Sequence, residues 1–286
     1  MSEIFELSEG DSLSELEAAT VVRTSASSII LVAGMARCGK TTLVAGLYGL
    51  FHKRPFASLT FSGSLTLPGF ERRSHLARLS SGRDEPDTAR TGHSEEQHLL
   101  HLQLVDQTTG NRCDLLFTDL YGEAFRRAAD SAEECSRVDL LKRADHIVLL
   151  VDGRKAVNKA FRQEAFMSVD ALLGQCIDTG MLGLHSTIQV VVTKHDVVSK
   201  ASTEDKDFVE RKTSWICDRY GPSVKAISVH KVALRSANGT KTGFGMDSLL
   251  ALWLPKSSIE VNVSRSVPGT RYTEFDRFDG QHSGGT

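Results

Sequence analysis

Ile29-Ile-Leu-Val-Ala33 runs directly into Gly34-Met-Ala-Arg-Cys-Gly39-Lys40-Thr41-Thr42, and this stretch decides the fold. The first five residues form a continuous, largely β-branched apolar run, which predicts a strand buried on both faces. The next eight, Gly34 to Thr41, fit the pattern G-x-x-x-x-G-K-[ST], placed between that strand and a segment of helical period beginning at Thr42. In such a loop the glycines let the backbone curl, so that successive N–H groups of Gly34, Ala36, Arg37, Cys38, Gly39 and Lys40 point inward. Phosphate oxygens are then held at the positive end of the following helix. Lys40 is placed to reach the terminal phosphates and the hydroxyl of Thr41 to hold Mg²⁺, with Thr42 closing the cradle.

Outward from this loop, short apolar runs recur at Leu115-Leu-Phe117, His146-Ile-Val-Leu-Leu-Val151 and Ile188-Gln-Val-Val-Val192. Between and after them lie segments of helical period at 124–144, 155–175 and 204–220. Alternation of this kind predicts a three-layer α/β/α fold, a mainly parallel sheet with helices on both faces. The chain divides into an acidic N-terminal tail (1–27), one domain (28–256) and a C-terminal tail (257–286) with Ile259 to Val263 as a candidate edge strand. The first tail holds six acidic residues in its first twenty and reads as mobile or as a helix at Leu13 to Ala19. Lys53 to His98, rich in Ser, Gly and Arg, is a long insertion ahead of the alternating strand Leu99 to Val105. A connection of that length is usually functional.

Composition excludes several classes. Among 286 residues, 34 Lys and Arg oppose 36 Asp and Glu, a net charge of −2 that offers no global attraction to nucleic acid or anionic membrane. No apolar stretch reaches membrane-spanning length, and the N-terminus lacks a basic n-region, so a cytoplasmic protein is expected. Five cysteines without Cys-x-x-Cys spacing support neither a disulfide framework nor a zinc site. His93, His98 and His101 lack the carboxylate or thiol spacing that would complete a metal set. Cys38 reads either as a thiol activated at a helix N-terminus or as a filler of a variable loop position. Arg37 is a second variable position, facing phosphate, a partner or solvent.

Two further strand ends carry chemistry. Asp119-Leu-Tyr-Gly122 closes the strand at Leu115: the carboxylate can meet Mg²⁺ and the Gly122 N–H can sense a γ-phosphate. Thr193-Lys194-His195-Asp196 closes the strand at Ile188. An Asp there accepts from guanine N1–H and the 2-amino group, a donor pair that adenine lacks. At about 1.5 to 3 kcal/mol per charge-assisted bond, the pair favours guanine by roughly 10² to 10⁴. The stem of Lys194 is placed to lie over the base.

In this order, the three motifs resemble those of the translation-factor-related, Ras-like class of P-loop GTPases, over about Ser28 to Leu254. The resemblance implies a GTP/GDP-binding switch that hydrolyses GTP slowly with Mg²⁺ and acts on a protein effector or regulator. It also implies a Ser-Ala motif, matched by Ser236-Ala237 with Ser228 as a competing register, and a first-switch Thr on the metal, matched by Thr91 or Thr88. Thr193 stands where Asn is commoner, a change such GTPases tolerate, and Glu123 where many members have the water-orienting Gln. Glu123 keeps a GTP-binding scaffold open, and an Asp196 that serves only as a helix cap keeps an ATP-dependent enzyme open. The run Phe61-Ser-Gly-Ser-Leu-Thr-Leu-Pro-Gly-Phe-Glu71 ahead of Arg90-Thr91 is similar to bacterial double-GTPase proteins of conflict systems, which implies a GTPase that gates an effector.

Overall fold

A computed structural model describes residues 10–52, 54–75, 98–118, 122–234 and 241–255. In chain order these form α1 (Glu15–Thr24), β1 (Ser27–Ala33), α2 (Lys40–Phe51), β2 (Leu59–Gly63), α3 (Leu67–His75), β3 (Leu99–Asp106) and β4 (Arg112–Thr118). There follow α4 (Gly122–Asp130), α5 (Ala132–Ser136), α6 (Leu140–Arg143), β5 (His146–Asp152), α7 (Gly153–Ala156) and α8 (Arg162–Asp178). The chain continues through β6 (Thr187–Thr193), α9 (His195–Val198), α10 (Thr203–Tyr220), β7 (Ile227–Lys231) and α11 (Met246–Trp253).

The strands make one seven-stranded sheet in the order β2-β3-β4-β1-β5-β6-β7. The pairs β4/β1, β1/β5, β5/β6 and β6/β7 are parallel, whereas β2/β3 and β3/β4 are antiparallel. Alternate residues of the central strands feed two cores, as the two-residue period of a strand requires. Leu31, Ala33, Ile147, Leu149 and Val151 pack with α4 to α8 and α10. Ile30, Val32, Val148 and Leu150 pack with α2, α3 and α11 on the opposite face. The expected three-layer arrangement is therefore the architecture observed, and both β1 and β5 end at the same edge of the sheet. Among the described residues, no helix is long and apolar enough to cross a membrane.

Four local expectations are corrected. Residues 10–26 are packed rather than mobile, and of the two readings the helix at Leu13 to Ala19 is the one found: Ser14 and Glu17 form a capping box that starts α1. Leu13 bonds to Leu99 on both sides, and with Ala18 it packs on Leu116. The insertion 53–98 contains structure of its own, because Leu59 and Phe61 are buried where β2 pairs with β3. In α3, Pro68 occupies the first turn, where a missing N–H costs nothing, and Phe70 stacks on Tyr48 of α2 at 5.1 Å. Third, the helical run 124–144 is three helices: Ser131 breaks it by accepting from the Glu134 N–H as a fresh N-cap. Fourth, the run 155–175 is likewise divided, because the Asp152 carboxylate caps the one-turn α7 before α8 begins. Residues 257–286 and the candidate strand at 259–263 lie outside the described residues.

Candidate functional site

The turn from β1 into α2 is the centre of the site. Gly39 has φ +107°, a conformation open to glycine, and no side chain caps α2, whose first turn also lacks any acidic residue. The amino end of this twelve-residue helix is therefore an open, positively polarised cradle of backbone N–H groups. Ala36 and Arg37 are exposed on the loop, while Gly34, Gly39, Lys40, Thr41 and Thr42 are half-buried. Lys40 Nζ folds back and donates to the carbonyls of Gly34 at 2.6 Å and Met35 at 3.0 Å. Burial holds its pKa below the ordinary lysine value.

Cys38 settles differently from one of its two sequence readings. It is 1% exposed and belongs to the core on the α2 face. Burial pushes its thiol pKa up, outweighing the lowering effect of Lys40. A thiol activated at a helix N-terminus needs partial exposure, and this one has none. Arg37 contributes through its backbone, at φ 65°, and its carbonyl accepts from Lys194 Nζ at 3.2 Å.

The second part of the site is the turn after β6. Thr193 is buried, and its hydroxyl lies 2.8 Å from the Cys38 carbonyl and 3.2 Å from that of Val151. Lys194 adopts the left-handed conformation, φ 54°, which swings the chain into α9 and leaves Asp196 half-buried in its first turn. The ammonium of Lys194 reaches Asp152 Oδ2 at 2.6 Å. Thus the residue expected to offer only its stem to a ligand also ties β6, β5 and the Gly34–Thr41 loop together with its head.

Asp152 is the member of this cluster that the motifs do not announce. It is 7% exposed, and its second oxygen accepts from the N–H of Arg154 at 2.9 Å and of Lys155 at 3.4 Å. An acid at the end of a buried strand, as at Asp119, is the signal that marks it, here with glycine directly after it in place of the Asp-x-x-Gly spacing. The two duties separate by substitution. Asn caps helices as well as Asp, so Asp152→Asn keeps α7 and loses only the charge under Lys194, whereas Asp152→Ala loses both. The Ala variant is expected to be less stable than the Asn variant by about 1 kcal/mol. That corresponds to about 2 to 4 °C in the unfolding midpoint of a domain this size, measured by thermal denaturation. Equal midpoints would remove the capping role.

The remaining expected residues divide between placed and undescribed. β4 runs parallel to β1, and the Val32 N–H donates to Thr118 Oγ1 at 3.0 Å, so β4 ends beside the loop. The backbone of Gly122 and Glu123 opens α4. Thr88, Thr91, Asp119, Ser236 and Ala237 lie outside the described residues. Ser228 sits inside β7, paired in register with Gln189, and its hydroxyl is 3.0 Å from His230 Nε2, away from the strand end. His101 is committed elsewhere. Its Nδ1 accepts from the Leu65 N–H and its Nε2 faces Asp114 at 2.7 Å, an arrangement that fastens β2 and α3 to the sheet. Among the described residues no group of three His, Cys, Asp or Glu side chains could form a metal cage. The expected magnesium ligands Asp119 and Thr91 lie outside the described residues, and magnesium held partly by phosphate oxygens needs few protein ligands. Thr41, at the amino end of α2, fits that donor set.

A family model described as Double-GTPase 2 matches residues 28–254. No curated protein matches the chain. Among solved structures the chain is similar to Methanosarcina barkeri Roco2 RocCORdC bound to GDP, with 16% identity, 80% of this chain and 49% of that one covered, and a TM-score of 0.41. It is similar also to the signal recognition particle receptor SRb-GTP/SRX complex from Chaetomium thermophilum, with 12% identity, coverages of 74% and 93%, and a TM-score of 0.41. The third is the S. cerevisiae Ski7 GTPase-like domain bound to GDP and inorganic phosphate, with 13% identity, coverages of 82% and 51%, and a TM-score of 0.46. The chain spans about half the length of the first and third of these.

Proposed function

The chain belongs to the Double-GTPase 2 family, and from that premise we propose that it is a GTP-binding switch that hydrolyses GTP slowly and gates a protein effector. One observation supports this reading above the rest. The loop that leads into the open amino end of α2 and the Thr193–Asp196 turn are bonded to each other, Thr193 Oγ1 to the Cys38 carbonyl and Lys194 Nζ to that of Arg37, as expected if one cradles phosphate and the other reads the base.

In this reading the triphosphate lies over the Gly34–Thr42 loop, including the N–H groups of Ala36, Arg37, Cys38 and Gly39. Lys40 leaves the Gly34 and Met35 carbonyls for the terminal phosphates. Thr41, Asp119 and Thr91 would hold Mg²⁺, which neutralises charge on the β- and γ-phosphate oxygens when bound. Thr193, Lys194 and Asp196 orient and select guanine, with the Ser236-Ala237 backbone at its O6 edge. A water placed by Glu123 and the Gly122 N–H attacks the γ-phosphoryl in line, and Lys40 stabilises the charge that spreads over the transferring group. Contacts from the γ-phosphate to Thr91 and Gly122 order two loops, and the effector reads their state.

A fluorescent-nucleotide competition with the purified protein tests the reading. GTP is expected to compete roughly 10² or more better than ATP. With Mg²⁺, single turnovers are expected on the order of 10⁻⁴ to 10⁻² per second, the range of such domains without an activator. Equal competition by ATP overturns the guanine assignment. Nucleotide that stays bound and unturned in both the wild type and Glu123→Gln overturns the hydrolytic one and leaves a GTP-binding scaffold, the reading that an acid at position 123 favours.

A further inference from the structure

The aromatic residue that completes the far side of the base-reading turn is Phe244. Its ring stacks on that of His195, with centroids 5.0 Å apart and planes inclined by 15°. Phe244 is 42% exposed, an aromatic left at the surface with His195 as its stacking partner. His195 uses its ring face: Nδ1 is buried and makes no hydrogen bond, and burial, then Lys231, lowers its pKa.

The backbone around the pair is fixed from three sides. The His195 N–H donates to the Val232 carbonyl at 3.0 Å, while Ala233 and Phe244 exchange backbone hydrogen bonds at 3.1 Å. Thus both rings hang from consecutive residues that extend β7. Gly245 turns the chain immediately after Phe244, at φ +74°, where a Cβ would collide with the Lys231 carbonyl oxygen. Leu234, on the other strand of this small bridge, lies so close to α2 that a Cβ on Gly46 would sit 2.9 Å from its Cδ2. The stack therefore joins a support anchored on β7 and α2 to the residue directly before Asp196.

We propose that His195 and Phe244 are a positioning pair that sets base specificity, by holding the turn that carries Asp196 against the carboxyl end of β7. The inference rests on the reading of Asp196 as the guanine acceptor. Two hydrogen bonds from one base edge to one carboxylate require its orientation to be held within a fraction of an ångström, and the stack adds a side-chain restraint directly before Asp196 to the backbone bond from His195 to Val232.

Affinities for GDP and ADP, measured on the full chain, test it. In His195→Ala and in Phe244→Ala, GDP affinity is expected to fall about 2- to 10-fold. ADP, held through its phosphates, is expected to stay within about twofold, so the GDP:ADP ratio falls. Phe244→Tyr retains the ring and restores the ratio, and the double Ala variant is no worse than the poorer single one. An unchanged ratio in a folded His195→Ala protein overturns the proposal, and that variant decides the matter if Phe244→Ala does not fold. Failure of the underlying reading looks different: it leaves the ratio near one in the wild type, or unmoved by Asp196→Asn. A ratio moved by Asp196→Asn but not by His195→Ala condemns the pair alone.

Discussion

Asp196→Asn is expected to lower GDP affinity by roughly 10² to 10⁴ and to raise affinity for XDP. The carboxylate offers two acceptors to the two donors of guanine, and Asn turns one of those acceptors into a donor. Xanthine carries a carbonyl where guanine carries the 2-amino group, so the exchanged donor meets an acceptor again. The local fold should survive the change, since Asp196 is half-buried at the start of α9 and α9 has no side-chain cap to lose. Competition of GDP, XDP and ADP for a fluorescent nucleotide distinguishes the outcomes. A preference left intact in the variant would remove Asp196 from base recognition and reduce it to an acid in the first turn of a short helix.

The second large effect is expected at Lys40. Its ammonium donates to two carbonyls of its own loop, and burial makes its charge less comfortable there than in water. A triphosphate offers it full anionic partners, and the charge-assisted bonds so formed contribute about 1.5 to 3 kcal/mol each. With two such bonds, Lys40→Ala is expected to weaken GTP binding by roughly 10² to 10⁴ and to abolish measurable turnover. Lys40→Arg should not rescue it, because the guanidinium fork is wider than the compact ammonium that this pocket encloses. Calorimetric titration with a non-hydrolysable GTP analogue measures the loss. Binding of Lys40→Ala within about threefold of wild type would mean that backbone N–H groups alone hold the phosphates.

The central strands were legible because each is buried on both faces and reads as an unbroken apolar run, β1 and β5 above all. The loop after β1 was legible because its chemistry depends on glycines and a lysine at fixed spacing. What escaped depends on partners far away in the chain. β2 has only Leu59-Thr-Phe61 to declare it and is a strand because β3 pairs with it. Asp152 gains its meaning from Lys194, 42 residues later. The break at Ser131 falls inside helical periodicity, where a side-chain cap outweighs the repeat. α1 shows the converse: a helix at Leu13 to Ala19 is one of two readings, and the capping signature Ser14-Glu-Leu-Glu17 is the feature that decides for it.

The two halves of the site are joined by a hydrogen bond between residues 155 positions apart, Thr193 and Cys38. The Gly34–Thr41 loop is made early as the chain is synthesised, yet its Arg37 and Cys38 carbonyls meet their partners only when β6 has docked against β5. Until then the loop lacks the hydroxyl of Thr193 and the ammonium of Lys194, and a nascent chain has no complete nucleotide site. On the proposed reading, the nucleotide site is complete only once the central sheet is assembled. A nucleotide that binds the folded domain then stabilises it by mass action, so the unfolding midpoint is expected to rise with nucleotide concentration.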